Sequence, residues 1–140
     1  MKHTRLLLAS LLLLFSFGVC SQPAVAQTAV KPPPDTKASL RSAKTIYVAS
    51  STMLVGQAVI ESKLRKRPEF QQYGLVITRN LPDADLVLEV SHDLFTMFVY
   101  TATDPRTNVV VASGKLSSLG GTVAGKVAKR FMKEMVRARS

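Results

Sequence analysis

TVAGKVAKRFMKEMVR, residues 122 to 137, sets the fold, because the two faces of this segment differ sharply. At helical spacing the apolar residues fall on one side: Ala124, Val127, Ala128, Phe131, Met135 and, just beyond the segment, Ala138. The basic residues fall on the other side: Lys126, Lys129, Arg130, Lys133 and Arg137. An apolar helix face must be buried against another layer of structure. We therefore predict an amphipathic helix that packs on a sheet and exposes its cationic face.

The residues before this helix predict the sheet. In ADLVLEVS, residues 84–91, apolar Leu86, Leu88 and Val90 alternate with Asp85, Val87 and Glu89, as in a half-buried strand. Two further strands, 95–103 and 109–116, are predicted to form a hairpin around 104–108, DPRTN. Proline suits the second position of a type I turn, and Asn108 tolerates a left-handed conformation.

Two short strands and a second helix complete the pattern. TIYVA at 45–49 is β-branched and aromatic, and 75–78 is similar. Between them we predict a helix beginning near Met53, with Met53, Ile60 and Leu64 on one face, ended by Pro68. The order is βαββββα. It predicts an α+β two-layer sandwich of about five mostly antiparallel strands, with both helices on one face.

The first 26 residues have the pattern of a secretory signal peptide. A basic start precedes an apolar run over 6–19 and Ala24-Val25-Ala26, which suits a signal peptidase. The apolar run is short for a permanent bilayer span. We expect cleavage between Ala26 and Gln27, a periplasmic or secreted protein, and no transmembrane segment in the mature chain.

Cys20 raises the alternative of a lipid anchor, because lipoprotein signals also end at a cysteine. Val19 stands where such signals favour glycine or alanine, and Phe17 replaces the usual leucine, so the sequence favours ordinary cleavage. Cleavage after Ala26 removes the only cysteine, and with it any disulfide or thiolate ligand.

Composition divides the mature chain into a spacer, 27–39, with three consecutive prolines, and one domain, 40–140. The whole chain carries 19 basic and nine acidic residues. Removal of 1–26 takes away Lys2 and Arg5 and leaves 17 basic residues against nine acids, a net charge of +8. In an exported protein this charge favours an anionic envelope surface or an acidic partner over nucleic acid.

GGTVAGKV, residues 120–127, is one residue short of a phosphate-binding loop. Val127 stands where the loop needs a serine or threonine hydroxyl for magnesium. We read Gly120 and Gly121 as a turn, and Gly125 as allowing close packing of the helix on the sheet. No cofactor is expected.

Other chemical signals are weak. His92 beside Asp93 lacks a nucleophile, and Asn80, Asp83 and Asp85 supply too few oxygen ligands for calcium. The basic run 63–67 contains no aromatic residue for stacking on bases, so nucleic-acid binding is not expected.

Two surfaces remain as candidates for binding. The cationic helix face could contact anionic lipid or polymer, although a merely solvated face is the commoner case. Phe95, Met97 and Val99 point one way from their strand and Phe98 and Tyr100 the other, while two helices cover only one sheet face. We therefore predict a partner or self-association patch formed by Phe95, Met97, Phe98, Val99 and Tyr100.

Residues 46–137 resemble small bacterial envelope domains, including periplasmic proteins, envelope lipoproteins and the amino-terminal domain of the Tol-system propeller protein. The resemblance is carried by IYVAS, VGQAVIESKL, FQQYGLVIT, PDADLVLEV, YTATDPRTNVVVASGKL and the closing helix. It implies an accessory or scaffold role in the envelope and supplies no catalytic residues.

The sequence thus favours a non-enzymatic exported envelope module for binding or assembly. The alternative is a small exported hydrolase whose carboxylates the sequence does not single out. His92, Asp83, Asp85 and Glu89 are the residues to mutate in testing that alternative.

Overall fold

A five-stranded sheet backs onto a layer of helices in the computed structural model of the protein, which describes residues 35–118 and 122–140. The strands are β1 Thr45–Ser50, β2 Val76–Thr78, β3 Leu86–His92, β4 Met97–Asp104 and β5 Val109–Ser117. The helices are α1 Thr36–Ser42, α2 Gln57–Arg65, α3 Pro68–Gln72 and α4 Val123–Arg139, with a 3₁₀ turn at Leu81–Asp83. The predicted α+β fold with five strands is confirmed.

The core lies between the helices and one face of the sheet. Leu86, Leu88 and Val90 of β3 are fully buried, as their alternation predicts. The whole predicted apolar face of α4 is buried as well, and Phe131 and Met135 have no exposed surface. Residues from all four described α-helices and from the sheet belong to this one cluster. The amphipathic pattern at 122–137 therefore predicted both the helix and the side it buries.

Half of the strand pairings differ from the predicted, mostly antiparallel sheet. The strand order is β2-β1-β3-β4-β5, with β1 parallel to both β2 and β3, and β4 antiparallel to its two neighbours. The reason is the connection through α2 and α3, which returns the chain to the starting end of β1 before β2 begins. A helical crossover of this kind produces parallel neighbours, whereas a short hairpin produces antiparallel ones.

The hairpin itself is confirmed. Asp104 pairs with Val109 across the turn, and Asn108 has a left-handed φ of 56°. Asparagine tolerates this conformation better than bulkier residues do, which is why it ends the turn here.

Helix α1 was not predicted, and it begins inside the segment assigned to the spacer. Asp35 caps it by accepting hydrogen bonds from the N–H groups of Lys37 and Ala38. Ser39 donates to the buried Asp104, at 3.0 Å, and Leu40 enters the core. The folded domain therefore includes Thr36–Ser39, and the boundary predicted at 39/40 is too late.

The predicted start of the second helix is also wrong. Helix α2 begins at Gln57, and Met53, expected on its buried face, is fully exposed. Residues 51–56 instead form a loop, because the Ser50 hydroxyl lies 2.6 Å from the Val55 carbonyl and Thr52 Oγ1 accepts from Leu54 N–H. These side-chain bonds compete with helix formation.

The second face of the sheet is named here the open sheet face. Its side chains alternate with the buried ones and are half-buried or exposed: Tyr47, Ala49, Val87, Glu89, Met97, Val99, Thr101, Thr103 and Val110. No helix within residues 35–118 and 122–140 is long and apolar enough to cross a membrane. The predictions for 1–26, including the Ala26/Gln27 cleavage and Cys20, lie outside the described residues.

Two carboxylates hold the end of the sheet where β1 and β3 begin and β4 ends. Asp85 Oδ2 accepts from the N–H groups of Lys44 and Thr45, at 2.9 and 3.0 Å. Burial raises the pKa of Asp85, but hydrogen bonds from Lys44 and Thr45 outweigh it and bring the pKa below the ordinary 3.8. The same holds for Asp104. Burial raises its pKa, but hydrogen bonds from Arg106 and Ser39 outweigh burial, so the pKa is lowered.

These lowered pKa values predict acid sensitivity. A carboxyl whose folded pKa lies below its unfolded value stabilises the fold above 3.8, and this contribution is lost as the pH falls through the folded pKa. Asp85→Asn should lower the urea midpoint at pH 7, and the difference from wild type should shrink as the pH falls below 3.8. Glu89→Gln is the matched control on the open sheet face. A pH-independent difference for Asp85→Asn would contradict the assignment.

Candidate anion-binding groove

The cationic face of α4 borders a surface groove beside the last strand. The groove has a volume of about 350 Å³ and is lined by Ser117, Lys126, Lys129, Arg130 and Lys133, which are named here the basic groove. All four of its basic residues are exposed. Their spacing of three, four and seven residues places them together on one helix face. Four of the five basic residues predicted from the sequence are thus brought together.

Two of these side chains bind the backbone of the edge strand. Lys126 Nζ donates to the Ser117 carbonyl at 2.9 Å, and the Arg130 guanidinium donates to the Lys115 carbonyl. Strand β5 is an edge of the sheet, so these carbonyls face away from β4. Basic side chains along an edge strand hinder its pairing with another chain. The same bonds hold Lys126 and Arg130 at the floor of the groove.

Of the four basic residues in the groove, Lys129 and Lys133 are the two whose charged groups make no hydrogen bond to the edge strand. Among the described residues, which include all nine acids of the chain, no carboxylate lies within ion-pair distance of either ammonium. Like charges gathered on a concave surface raise the local potential and concentrate anions there. The groove therefore presents two ammonium groups to solvent that no carboxylate of the described residues neutralises.

Arg137, the fifth residue of the predicted cationic face, is exposed but does not line the groove. Its Nη1 pairs with Glu134 at 3.2 Å, and it lines a separate cavity of about 250 Å³ beside α1. The sequence reasoning placed it on the cationic face by spacing alone. It did not foresee that α1 would pack along this end of α4.

The predicted partner patch is divided between two faces. Phe98 and Tyr100 are only 3% exposed and lie in the core, so their inclusion in a partner surface is wrong. Met97 and Val99 are half-buried on the open sheet face, and Phe95 is 91% exposed in the loop before β4. Alternation along β4 puts neighbouring residues on opposite faces, and the helices cover the face of Phe98 and Tyr100. A partner for the open sheet face stays a prediction.

The other polar candidates serve the fold. His92 Nε2 contacts the Phe95 carbonyl, and its ring packs on Phe98, whereas Asp93 pairs with Lys115 at 3.3 Å. Asn80 donates to Asp83, and Asp85 holds the start of β1. Within residues 35–118 and 122–140, no group of three or more His, Cys, Asp or Glu side chains could hold a metal ion.

The glycine-rich segment has a structural account in part. Lys126 is bonded to Ser117, while Gly120 and Gly121 lie outside the described residues. Among the described residues, a Cβ atom at Gly125 would meet nothing within 4 Å, so the predicted need for close packing at this glycine is wrong.

The sequence reasoning also missed a cavity at the opposite edge of the sheet from the basic groove. It has a volume of about 480 Å³ and runs along the edge strand β2, lined by Arg65, Phe70, Gln71, Gly74, Leu75, Val76 and Ile77. The neighbouring Glu61 is buried and pairs with Arg65 and Arg79. In the sequence only the i, i+4 spacing of Glu61 and Arg65 is visible, and Arg65 belongs to the basic run 63–67.

Comparisons with known proteins give distant structural likenesses. No protein-family model matches the chain, and no curated protein matches it. A point variant of the PelC dodecamer from Paraburkholderia phytofirmans, in space group C2, is 14% identical, with a TM-score of 0.41, covering 66% of this chain and 87% of that one. The PelC dodecamer from the same organism, in space group P6, is 14% identical with a TM-score of 0.36, covering 68% and 87%.

Proposed function

We propose that this protein is a non-enzymatic, exported accessory module of the cell envelope, and that it binds an anionic surface through the basic groove. One observation carries the proposal. Lys126, Lys129, Arg130 and Lys133 converge on one concave site, on the side of α4 that is not needed for the core. The resemblance of 46–137 to envelope domains supports the location.

The overall charge supports an anionic partner. Without residues 1–26 the chain has 17 basic residues against nine acids, a net charge of +8, and these acids are largely engaged in bonds within the fold. Long-range attraction depends on this net charge, and a local groove then selects where contact is made. Lys129 and Lys133 supply flexible ammonium groups that adapt to irregularly spaced anions.

Asp85 and Asp104 are unsuited to act as general acids at neutral pH. A general acid at neutral pH needs a carboxyl whose pKa is raised towards 7. Instead, the pKa values of Asp85 and Asp104 are lowered by their hydrogen bonds, despite burial. Both carboxylates therefore remain ionised and hold the backbone.

A soluble polyanion tests the groove directly. Dextran sulfate should bind at low ionic strength, and neutral dextran of the same length should not. Binding should weaken steadily with salt and vanish near 1 M, where the Debye length is about 3 Å. Equal binding of neutral dextran, or affinity that does not depend on salt, would contradict the proposal.

Export gives a separate prediction. Protein recovered from the envelope fraction should have the intact mass of a chain starting at Gln27, without lipid. A diacylated species starting at Cys20 would replace soluble export by a lipid anchor. Recovery of the full-length chain from the cytoplasm alone would contradict the proposed export to the cell envelope.

A further inference from the structure

Two loops leave the same end of the sheet side by side. Strands β1 and β3 are parallel neighbours, with Ser50 opposite Val90, so their carboxyl ends lie at one edge. Ser51 N–H donates to the Val90 carbonyl at 3.0 Å, which ties the first loop, 51–56, to β3. The second loop, 93–96, follows β3 directly. Together these loops are named here the apolar tip.

Each loop exposes two large apolar side chains. Met53 is fully exposed and Leu54 is 66% exposed in the first loop, and Leu94 is 65% and Phe95 91% exposed in the second. They account for half of the eight large apolar residues that the described chain exposes. Apolar side chains concentrated at one end of a molecule usually mark a contact surface.

The second loop holds its apolar residues outward in a defined conformation. Asp93 N–H donates to the Met97 carbonyl, Met97 N–H donates to the Leu94 carbonyl, and His92 contacts the Phe95 carbonyl. Phe95 has a φ of 51°, a left-handed conformation that bulky residues rarely adopt. The surrounding hydrogen bonds impose this conformation, and its result is a phenyl ring directed away from the core.

The basic groove adjoins the apolar tip. Thr96, next to Phe95, receives a hydrogen bond from Ser118 N–H and lies 3.2 Å from the Ser117 hydroxyl. Ser117 in turn binds Lys126 of the groove. Asp93, the acid within the second loop, is paired with Lys115, while Asp83, Asp85 and Asp104 lie at the opposite end of the sheet. The groove therefore begins at the end of the molecule that carries the apolar tip, with Lys126 beside Ser117, and runs along α4 away from that end through Arg130 beside Lys115.

We propose that the anionic surface bound by the basic groove is a lipid bilayer, and that the apolar tip inserts into it. This inference rests on the proposed function of the groove. A soluble polyanion would satisfy the lysines but leave Met53, Leu54, Leu94 and Phe95 in water. Anionic headgroups beside acyl chains match both sets of residues, since interfacial segments bury their apolar side chains about 5–10 Å into the boundary between headgroups and acyl chains. The two loops supply the apolar part, and Lys129 and Lys133 the electrostatic part.

The sequence contains no tryptophan, so a single tryptophan introduced into the apolar tip gives a fluorescence signal from that site alone. In the full chain, Phe95→Trp should shift its emission to shorter wavelength, and should be quenched by brominated acyl chains, when vesicles of phosphatidylglycerol and phosphatidylcholine are added. Vesicles of phosphatidylcholine alone, or inorganic phosphate, should cause no shift. The matched control is Leu81→Trp, at the opposite end of the sheet and also exposed. Its emission should not change.

The outcomes separate the two proposals. If dextran sulfate binds but Phe95→Trp does not respond to anionic vesicles, the tip inference is overturned and the groove stands. If neither dextran sulfate nor vesicles bind, both fail. A response of both tryptophans also overturns the inference, because it shows that the protein does not bind the bilayer in one orientation. An equal response to phosphatidylcholine alone does so as well, because it shows that binding does not depend on anionic headgroups. Leu94→Trp replaces Phe95→Trp if that variant does not fold.

Discussion

Replacing Phe131 by alanine should lower the free energy of unfolding by about 3–5 kcal/mol. Phe131 is fully buried at the centre of the apolar face of α4, within the single described core. Its removal leaves a cavity between α4 and the sheet that the neighbouring backbone cannot close. A domain of this size has a total stability of about 5–15 kcal/mol, so a large share is lost. Urea unfolding monitored by circular dichroism measures the change.

The control changes the other face of the same helix. Lys129→Glu combined with Lys133→Glu alters two exposed side chains, and should change stability by only a few tenths of a kcal/mol. If Phe131→Ala unfolds like the wild type while the double variant does not, the assignment of the two faces is reversed. In that case α4 does not cover the sheet, and neither the core nor the groove is as described.

The same double variant should lose most of its affinity for dextran sulfate. A basic residue close to an anionic surface contributes about 1 kcal/mol, and each reversal removes one attraction and adds a comparable repulsion. Two reversals amount to about 4 kcal/mol, or roughly a 1000-fold weaker Kd at low salt. Isothermal titration calorimetry with wild type and variant measures the ratio.

A second pair of substitutions separates the groove from net charge. Lys63→Glu with Lys66→Glu makes the same change of charge at exposed positions at the end of α2. Helix α2 packs against α4 and β1, whereas the groove lies where α4 borders β5 at the sheet edge. This pair should weaken binding only modestly, through the long-range field. An equal loss of affinity from both pairs would show that binding follows the net charge and has no defined site.

The parts of the fold that the sequence predicts are those with a local period. Helix α4 and strand β3 each repeat apolar residues at the spacing of one buried face, and the hairpin turn carries Pro105 and Asn108 at the positions that need them. The parallel pairing of β1 with β3 has no such signal. It depends on β3 being placed on the side of β1 opposite β2, and long-range packing determines that placement.

Helix α1 and the loop at 51–56 escaped prediction for a related reason. The stabilising contacts of α1 come from distant residues: Arg41 donates to the Ala138 carbonyl, and Ser39 donates to Asp104. Met53 fits a helical period with Ile60 but lies outside the helix, because Ser50 and Thr52 bond the loop backbone instead. Tertiary hydrogen bonds overrode the local pattern in the first case, and local side-chain bonds did so in the second.

The sequence predicted the basic residues of the candidate site but not the strand that borders them. Helical spacing grouped Lys126, Lys129, Arg130 and Lys133, but the wall supplied by Ser117 depends on which strand lies at the edge of the sheet. The apolar tip was not visible at all, since Met53 and Phe95 come to the same end of the sheet only through the parallel pairing of β1 and β3. Phe95 was predicted to point out of a strand, and instead it lies in the loop before β4.

Amide chemical shifts, followed while a short dextran sulfate oligomer is added to the isotope-labelled chain, locate the bound anion most directly. The largest changes should occur at Ser117 and along Lys126–Lys133, saturate together, and disappear in Lys129→Glu with Lys133→Glu. Changes centred on Arg65 and the cavity beside β2, or spread evenly over Arg41, Lys63 and Arg137, would show that the basic groove is not the binding site.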